Sequence, residues 1–582
     1  MIRERVQAAA GKRPFDVLIR HLKLVNVFDG SIAPGCLGLM NGFIAYAGPE
    51  LPGLSGLSET DGHGLYALPG FVDAHMHLES SMLSPSAFAA EVLQRGTTTV
   101  CADPHEICNV LGAKGVLTMR ELTKDLPLRV LLMAPSTVPS APGLEGSGAE
   151  IGPEEMASLL ENPDIFGVGE VMHFSGVADA EPDILSVIEE GARRGVLIDG
   201  HASLLTGRRL QAFRAAGIHT DHTVDSAEKL REVLALGFYA QIQLSMLTPA
   251  LCRVMEEISL DSRICLVTDD VPLDRLMEKG HLNYVVRRAI ELGLSPMKAI
   301  RFATLNPSCC LRQYELGALG PGMRADIQLI RDISAPEPEQ VWINGQCLVK
   351  EGTLQVSLPA PNLTELTAHS MHLPPLKNED FACRANAPDD TRFALVNTIH
   401  QDGVHMRTTL REAQLPLIRQ EDGCFLGNDG FVKMCVFNRY GIPRHGTAFV
   451  DMLESFSGAV ALTYGHDAHN LSVFGSNDAD MALCANAVIE SGGGLAAAQN
   501  GQLLCCIPLP LAGLMSLKSA PELQEDMSAF LGCCRDMGFV HQSPLVFFTM
   551  MALAVSPEVK CTDMGLADTA QKKLLPLIKA FL

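Results

Sequence analysis

The chain has 582 residues, 47% of them hydrophobic, and a formal charge of −22. That length admits several domains with large apolar cores, and so acidic a balance argues against a nucleic-acid backbone as partner, because phosphate contacts need clustered Lys and Arg. A neutral or cationic small molecule fits better.

The first ten residues carry charges where an export signal needs an apolar core, and no apolar run reaches the ~18 residues of a membrane span. A cytoplasmic protein with no membrane partner is expected. The 17 cysteines include no Cys-x-x-Cys, so neither a zinc ribbon nor a disulfide framework is indicated. They read as reduced, buried, small apolar residues.

In chain order, residues 14–50 form short strand patterns, and a second strand cluster follows at 325–345. Neither group is large enough to stand alone. We expect them to pair into one small β-sandwich domain, residues 1–67 and 316–358, whose halves flank the segment between them.

That segment, 68–315, alternates strand and helix patterns in the manner of a parallel sheet with crossover helices. Eight strands are predicted, at 69–76, 97–102, 129–133, 166–169, 196–199, 217–220, 238–243 and 264–268. The fold class is therefore α/β, a (β/α)8 barrel whose chemistry sits at the carboxyl ends of its strands. Residues 362–582 form a third, α+β domain.

Polar residues fall at those strand ends. Strand one finishes at His75 and His77, which point to one face because residues two apart on a strand do so. Strand two runs into Asp103, His105 and Glu106, and strand four ends at Glu170. Strand five ends at Asp199 and His201, strand six at Asp221 and His222, strand eight at Asp269 and Asp270. Any one of these alone is an ordinary cap or loop residue; together they predict a metal centre.

Imidazole and carboxylate donors without thiolate suit Mn²⁺ or Fe²⁺, with Zn²⁺ also possible. Four histidines and two carboxylates exceed the needs of one ion, so two divalent ions about 3.5 Å apart are expected. The assignment is His75, His77 and Asp269 on one, His201 and His222 on the other, and Glu170 between them.

The stretches Pro69-Gly-Phe-Val-Asp-Ala-His-Met-His-Leu-Glu-Ser-Ser and Asp103-Pro-His-Glu resemble the adenine deaminase family of the amidohydrolase superfamily. The resemblance continues through Asp199-Gly-His-Ala, Thr268-Asp-Asp, Ala303-Thr-Leu-Asn-Pro and Gly465-His-Asp-Ala-His-Asn. It implies hydrolysis of adenine to hypoxanthine and ammonia by a metal-activated hydroxide, with a purine as the small-molecule partner. On that reading Asp269 carries the proton to the leaving amine. Glu106, as a protonated carboxyl, assists the ring nitrogens, and Asp103 and Glu79 orient the site.

The chain departs from the family pattern at Ser203, Thr223, Gln243 and Val271, which fall on the expected pocket wall. Other readings are a hydrolase of another aminopurine or cyclic amide, and a non-catalytic scaffold. Cyclic amidases commonly bridge their ions with a carboxylated Lys, and none occurs between Glu161 and Arg194, which favours Glu170 as the bridge. In the third domain, His466 and His469 are expected to satisfy turn and interface hydrogen bonds, with reach over the active site or a further ion as the alternative. His445 is ambiguous, and residues 431–433 are candidates to face the barrel. A homodimer or higher homo-oligomer is the default for an enzyme of this size.

Overall fold

The computed structural model describes every residue except 1, 361–363, 402–407, 422, 452–455, 540 and 542. Eight successive barrel strands are present: β1 (Phe71–His77), β2 (Thr97–Ala102), β3 (Arg129–Ala134), β4 (Ile165–Val171), β5 (Leu197–Gly200), β6 (Thr220–Asp221), β7 (Tyr239–Ile242) and β8 (Ile264–Leu266). β1 and β2 are buried along their whole length, as strands covered on both faces must be.

Hydrogen bonding divides the ring into two parallel stretches. One runs β5-β4-β3-β2-β1 and ends on the short strand Asp269–Asp270, and the other is β6-β7-β8. The His219 N–H donates to the Ile198 carbonyl (3.0 Å) across the first seam. At the second, the chain leaves β8 and returns to β1, where Asp269 pairs with Met76 and Asp270 with His77. The barrel interior is filled by Val72, Ala74, Cys101, Met133, Leu197 and Cys265, so it is a packed core and not a channel.

Helices on the outside begin where the sequence supplies caps. Ser84 Oγ accepts from the Ala87 N–H with Pro85 in the first turn, and Ser226 Oγ accepts from the Lys229 N–H.

The amino-terminal strands and the late cluster form one nine-stranded sheet, joined where Ile327–Ile330 runs antiparallel to Tyr66–Pro69. Chain distant in sequence thus pairs at the barrel's edge. The carboxyl-terminal region is built on a ten-stranded sheet with the helix Asp478–Glu490 packed on one face. Two of the loops that tie it to the barrel follow β1 and β3. After β1, the Ser516 N–H donates to the Met82 carbonyl (2.8 Å) and the Ser84 N–H to the Ser516 carbonyl (3.1 Å). After β3, the Gly146 N–H donates to Asp563 Oδ1 (2.8 Å) and Asn470 Nδ2 to the Gly146 carbonyl (2.7 Å). No helix of the described residues is long and apolar enough to cross a membrane.

Candidate active site

The side chains predicted to share a site do meet. His75 and His77, at the end of β1, lie within reach of Glu170 from β4, and His222, after β6, stacks on His75 with ring centroids 3.9 Å apart. Glu170 stands at the middle. Its Oε1 is 3.4 Å from His77 Nε2, and its Oε2 is 2.9 Å from His201 Nδ1 and 3.2 Å from His222 Nε2. Asp269 Oδ1 lies 3.4 Å from His77 Nε2 and 3.9 Å from His75 Nε2. Asp269 adopts a φ of +56°, a left-handed conformation in which Asp is among the better tolerated residues.

The imidazole tautomers are set by their outer partners. His75 Nδ1 donates to Asp199 Oδ2 (2.7 Å), and His77 Nδ1 donates to the Asp103 carbonyl (3.0 Å). Each therefore turns an Nε2 lone pair into the site. His75 Nε2 is buried and without a hydrogen-bond partner, an atom that a cation would satisfy. Asp103 also accepts the Glu170 N–H (2.7 Å), which fixes the backbone carrying the central carboxylate. Glu79, fully buried, accepts the Ile107 N–H (3.3 Å) and steadies the start of the helix that bears Glu106.

The charges are mutually dependent. Burial would push the Glu170 carboxyl up, but the charge on His222 and the hydrogen bonds from His201 and His222 hold it well below the usual carboxylate range. Burial likewise opposes a charge on His222, yet Glu170 beside it raises that imidazole to about 9. Divalent cations at these nitrogens and oxygens would supply the positive charge that the protons now supply, so the donor set fits them.

Glu106 is placed differently from the protonated carboxyl near the ring nitrogens expected of it. Its side chain is fully buried: Oε2 is bonded to His469 Nε2, while Oε1 lies 2.7 Å from His466 Nδ1 and 3.6 Å from His105 Nε2 without a hydrogen bond to either. Burial favours its neutral form, but the His466 imidazole foremost, with those of His469 and His105 beside it, outweighs burial and holds the carboxyl well below its ordinary range. The carboxyl-terminal domain thus reaches over to meet Glu106 with imidazoles that favour its ionised form. Of the candidate stretch 431–433, Lys433 turns away from the barrel: its Nζ donates to the Phe381 carbonyl (2.9 Å) and pairs with Asp478 within the carboxyl-terminal domain. His445 stacks on Phe437 in the same sheet.

The pocket-wall departures form contacts of their own. The Ser203 N–H donates to Thr223 Oγ1 (2.8 Å), Thr223 Oγ1 donates to Asp221 Oδ1 (2.5 Å), and Val271 is buried. Gln243 Nε2 donates to Asp269 Oδ2 (2.5 Å), so this glutamine orients the carboxylate it neighbours. His201 and Asp270 are the more exposed members and mark the mouth. The sequence places His105 at the end of strand two without a role, and its Nδ1 is 3.5 Å from Glu170 Oε1; the Gln243–Asp269 contact has no sequence signal. For His466 and His469, the paired histidines of the Gly465 turn were the available signal.

A barrel of this form, with imidazoles and carboxylates gathered at its strand ends, is the arrangement of the amidohydrolase class. The amidohydrolase family matches residues 66–348, and the adenine deaminase C-terminal domain matches residues 407–573. The chain is 38% identical to an adenine deaminase of Moorella thermoacetica, over 99% of this chain and 98% of that one. It is 37% identical to an adenine deaminase of Syntrophobacter fumaroxidans, over 97% and 96%. Among solved structures it is similar to an enamidase of the amidohydrolase superfamily, with 16% identity and a TM-score of 0.46 over 59% of this chain and 98% of that one. The chain belongs to the adenine deaminase family.

Proposed function

We propose that this protein hydrolyses adenine to hypoxanthine and ammonia at a centre of two divalent ions, Mn²⁺ or Fe²⁺, with Zn²⁺ as the alternative. The observation that carries the reading is the division of Glu170, one oxygen toward His77 and the other toward His201 and His222. In this reading His75, His77 and Asp269 would hold one ion, His201 and His222 the other, and Glu170 would serve both. Such ions, when bound, make water acidic enough to ionise near neutral pH and stabilise negative charge developing on the substrate.

The chain's own residues do the rest. Asp269, oriented by the Gln243 amide, accepts a proton from the attacking water and gives it to the departing amine at C6. Asp199 and the Asp103 carbonyl keep the two β1 imidazoles in the tautomer that presents Nε2. His201 and Asp270 mark the mouth, and a neutral heterocycle is in keeping with the acidic character of the whole chain.

The test is direct. Protein purified with added Mn²⁺ and given adenine should release hypoxanthine and ammonia in equal amounts. Ion-replete protein that leaves adenine unchanged would remove the substrate from this reading.

A further inference from the structure

The carboxyl-terminal domain sends one turn, residues 465–470, into the barrel mouth. From that turn His466 and His469 close on Glu106, which precedes them by 360 and 363 positions. The geometry gives the three residues different tasks. The Gly465 N–H donates to His469 Nδ1 (3.3 Å), so the ring proton of His469 sits on Nε2 and is donated to Glu106 Oε2. His469 is therefore a neutral donor that fixes one carboxylate oxygen. The other oxygen faces His466 Nδ1 at 2.7 Å.

Accessibility separates the members further. The side chains of Glu106 and His469 are 0% exposed, whereas that of His466 is 13% exposed. A carboxyl sealed in this way cannot touch a substrate. His466, with Nδ1 in ion-pair contact with Glu106, keeps Nε2 as the nitrogen that can.

We propose that His466 is a catalytic residue supplied by the carboxyl-terminal domain, which protonates the purine ring nitrogen next to C6 while Glu106 and His469 act as positioning residues behind it. This assignment rests on the deamination proposed above. As oxygen adds at C6, the Nε2–H bond of His466 breaks, its electron pair stays on the imidazole, and an N–H bond forms on the ring. Of the two protons of the attacking water, one reaches the leaving amine through Asp269. The second, released when the C6 hydroxyl becomes a carbonyl, replaces the one His466 gave. Water and adenine thus balance hypoxanthine and ammonia with no further reactant.

The surroundings keep His466 charged for that step. Burial disfavours its cation, but Glu106 foremost, then Asp270 and Asp467, raise the imidazole to about 9. The edge of Tyr464 and the ring of His469 complete the wall, at centroid distances of 5.3 and 6.1 Å.

His466→Gln and His466→Ala test the proposal, each measured with adenine across pH 6 to 10 alongside metal content. Turnover should fall by about 10²- to 10⁴-fold, the usual contribution of a general acid, with KM changed far less and both ions retained. The alkaline fall in kcat, set by an acid near 9 in the wild-type chain, should disappear, and added imidazole should restore part of the activity of His466→Ala. Wild-type kcat and pH profile in His466→Gln would overturn the proposal. So would a loss of activity that tracks a loss of metal and resists imidazole. Failure of the wild-type chain itself to act on adenine is a separate result, which sinks the substrate and not merely this residue.

Discussion

Glu170 and His201 meet at 2.9 Å through Oε2 and Nδ1, while Oε1 of the same carboxylate turns to His77. One side chain on β4 therefore touches residues from β1, β5 and the end of β6. If it bridges two ions, Glu170→Gln should lose at least one ion per chain and on the order of 10³-fold in turnover, the worth of several kcal/mol of charge stabilisation. Elemental analysis beside an activity assay reads both. Full occupancy in that variant would show that the bridge lies elsewhere.

Asp199 makes no contact with the reacting space, yet it accepts the Nδ1 proton of His75 at 2.7 Å. Asp199→Asn should weaken metal binding by about 10- to 100-fold, as is usual when an outer partner of a ligating histidine is lost. Excess Mn²⁺ should recover much of the activity. A titration that matches wild type would mean that the neighbouring strands alone orient His75.

The barrel and the carboxyl-terminal domain share a buried anchor at Asp563. It accepts from the Gly146 N–H (2.8 Å), Asn438 Nδ2 (2.9 Å) and Arg444 Nε (2.9 Å). Asp563→Ala should cost about 2 to 3 kcal/mol, below the usual toll for breaking a buried pair because Arg444 is 33% exposed and water screens it. Chemical denaturation would show the loss, and an unchanged midpoint would place the domain anchor elsewhere.

His281 predicts a pH effect on stability. It is fully buried, its Nδ1 is 3.0 Å from Thr97 Oγ1, and burial holds it down to about 3 from an ordinary 6.5. The folded value lies below the unfolded one, so the unfolded chain binds more protons between those limits. This contribution is present above about pH 6.5 and is lost as pH falls toward 3, with a slope of about 1.4 kcal/mol per pH unit. Asp73, 3.8 Å away and pushed up to about 7 by burial, works in the opposite sense and is common to both proteins. Wild type should therefore lose stability more steeply than His281→Gln over this range. Parallel curves from denaturant titrations would contradict it.

Much of this was legible along the chain because periodicity reports burial. β2 falls at the predicted residues, and β3, β4 and β5 differ from prediction by one or two, since strands covered on both faces read as apolar runs with sharp polar ends. His75 and His77 declare themselves by spacing alone. The meeting of Glu106 with His466 and His469 has no such signature. It depends on how a turn 360 residues later folds over the barrel, and a Gly-His-Asp-Ala-His turn has no period that reveals its direction. Lys433 shows the converse, a charged strand residue whose placement followed from its own domain's helix cap region at Asp478 and not from the barrel.

Two ions flanking Glu170 would be seen directly by anomalous scattering. Crystals grown with Mn²⁺ and measured at the manganese absorption edge should show two anomalous peaks, one beside His75 and His77 and one beside His201 and His222. A single peak, or density remote from Glu170, would contradict the account.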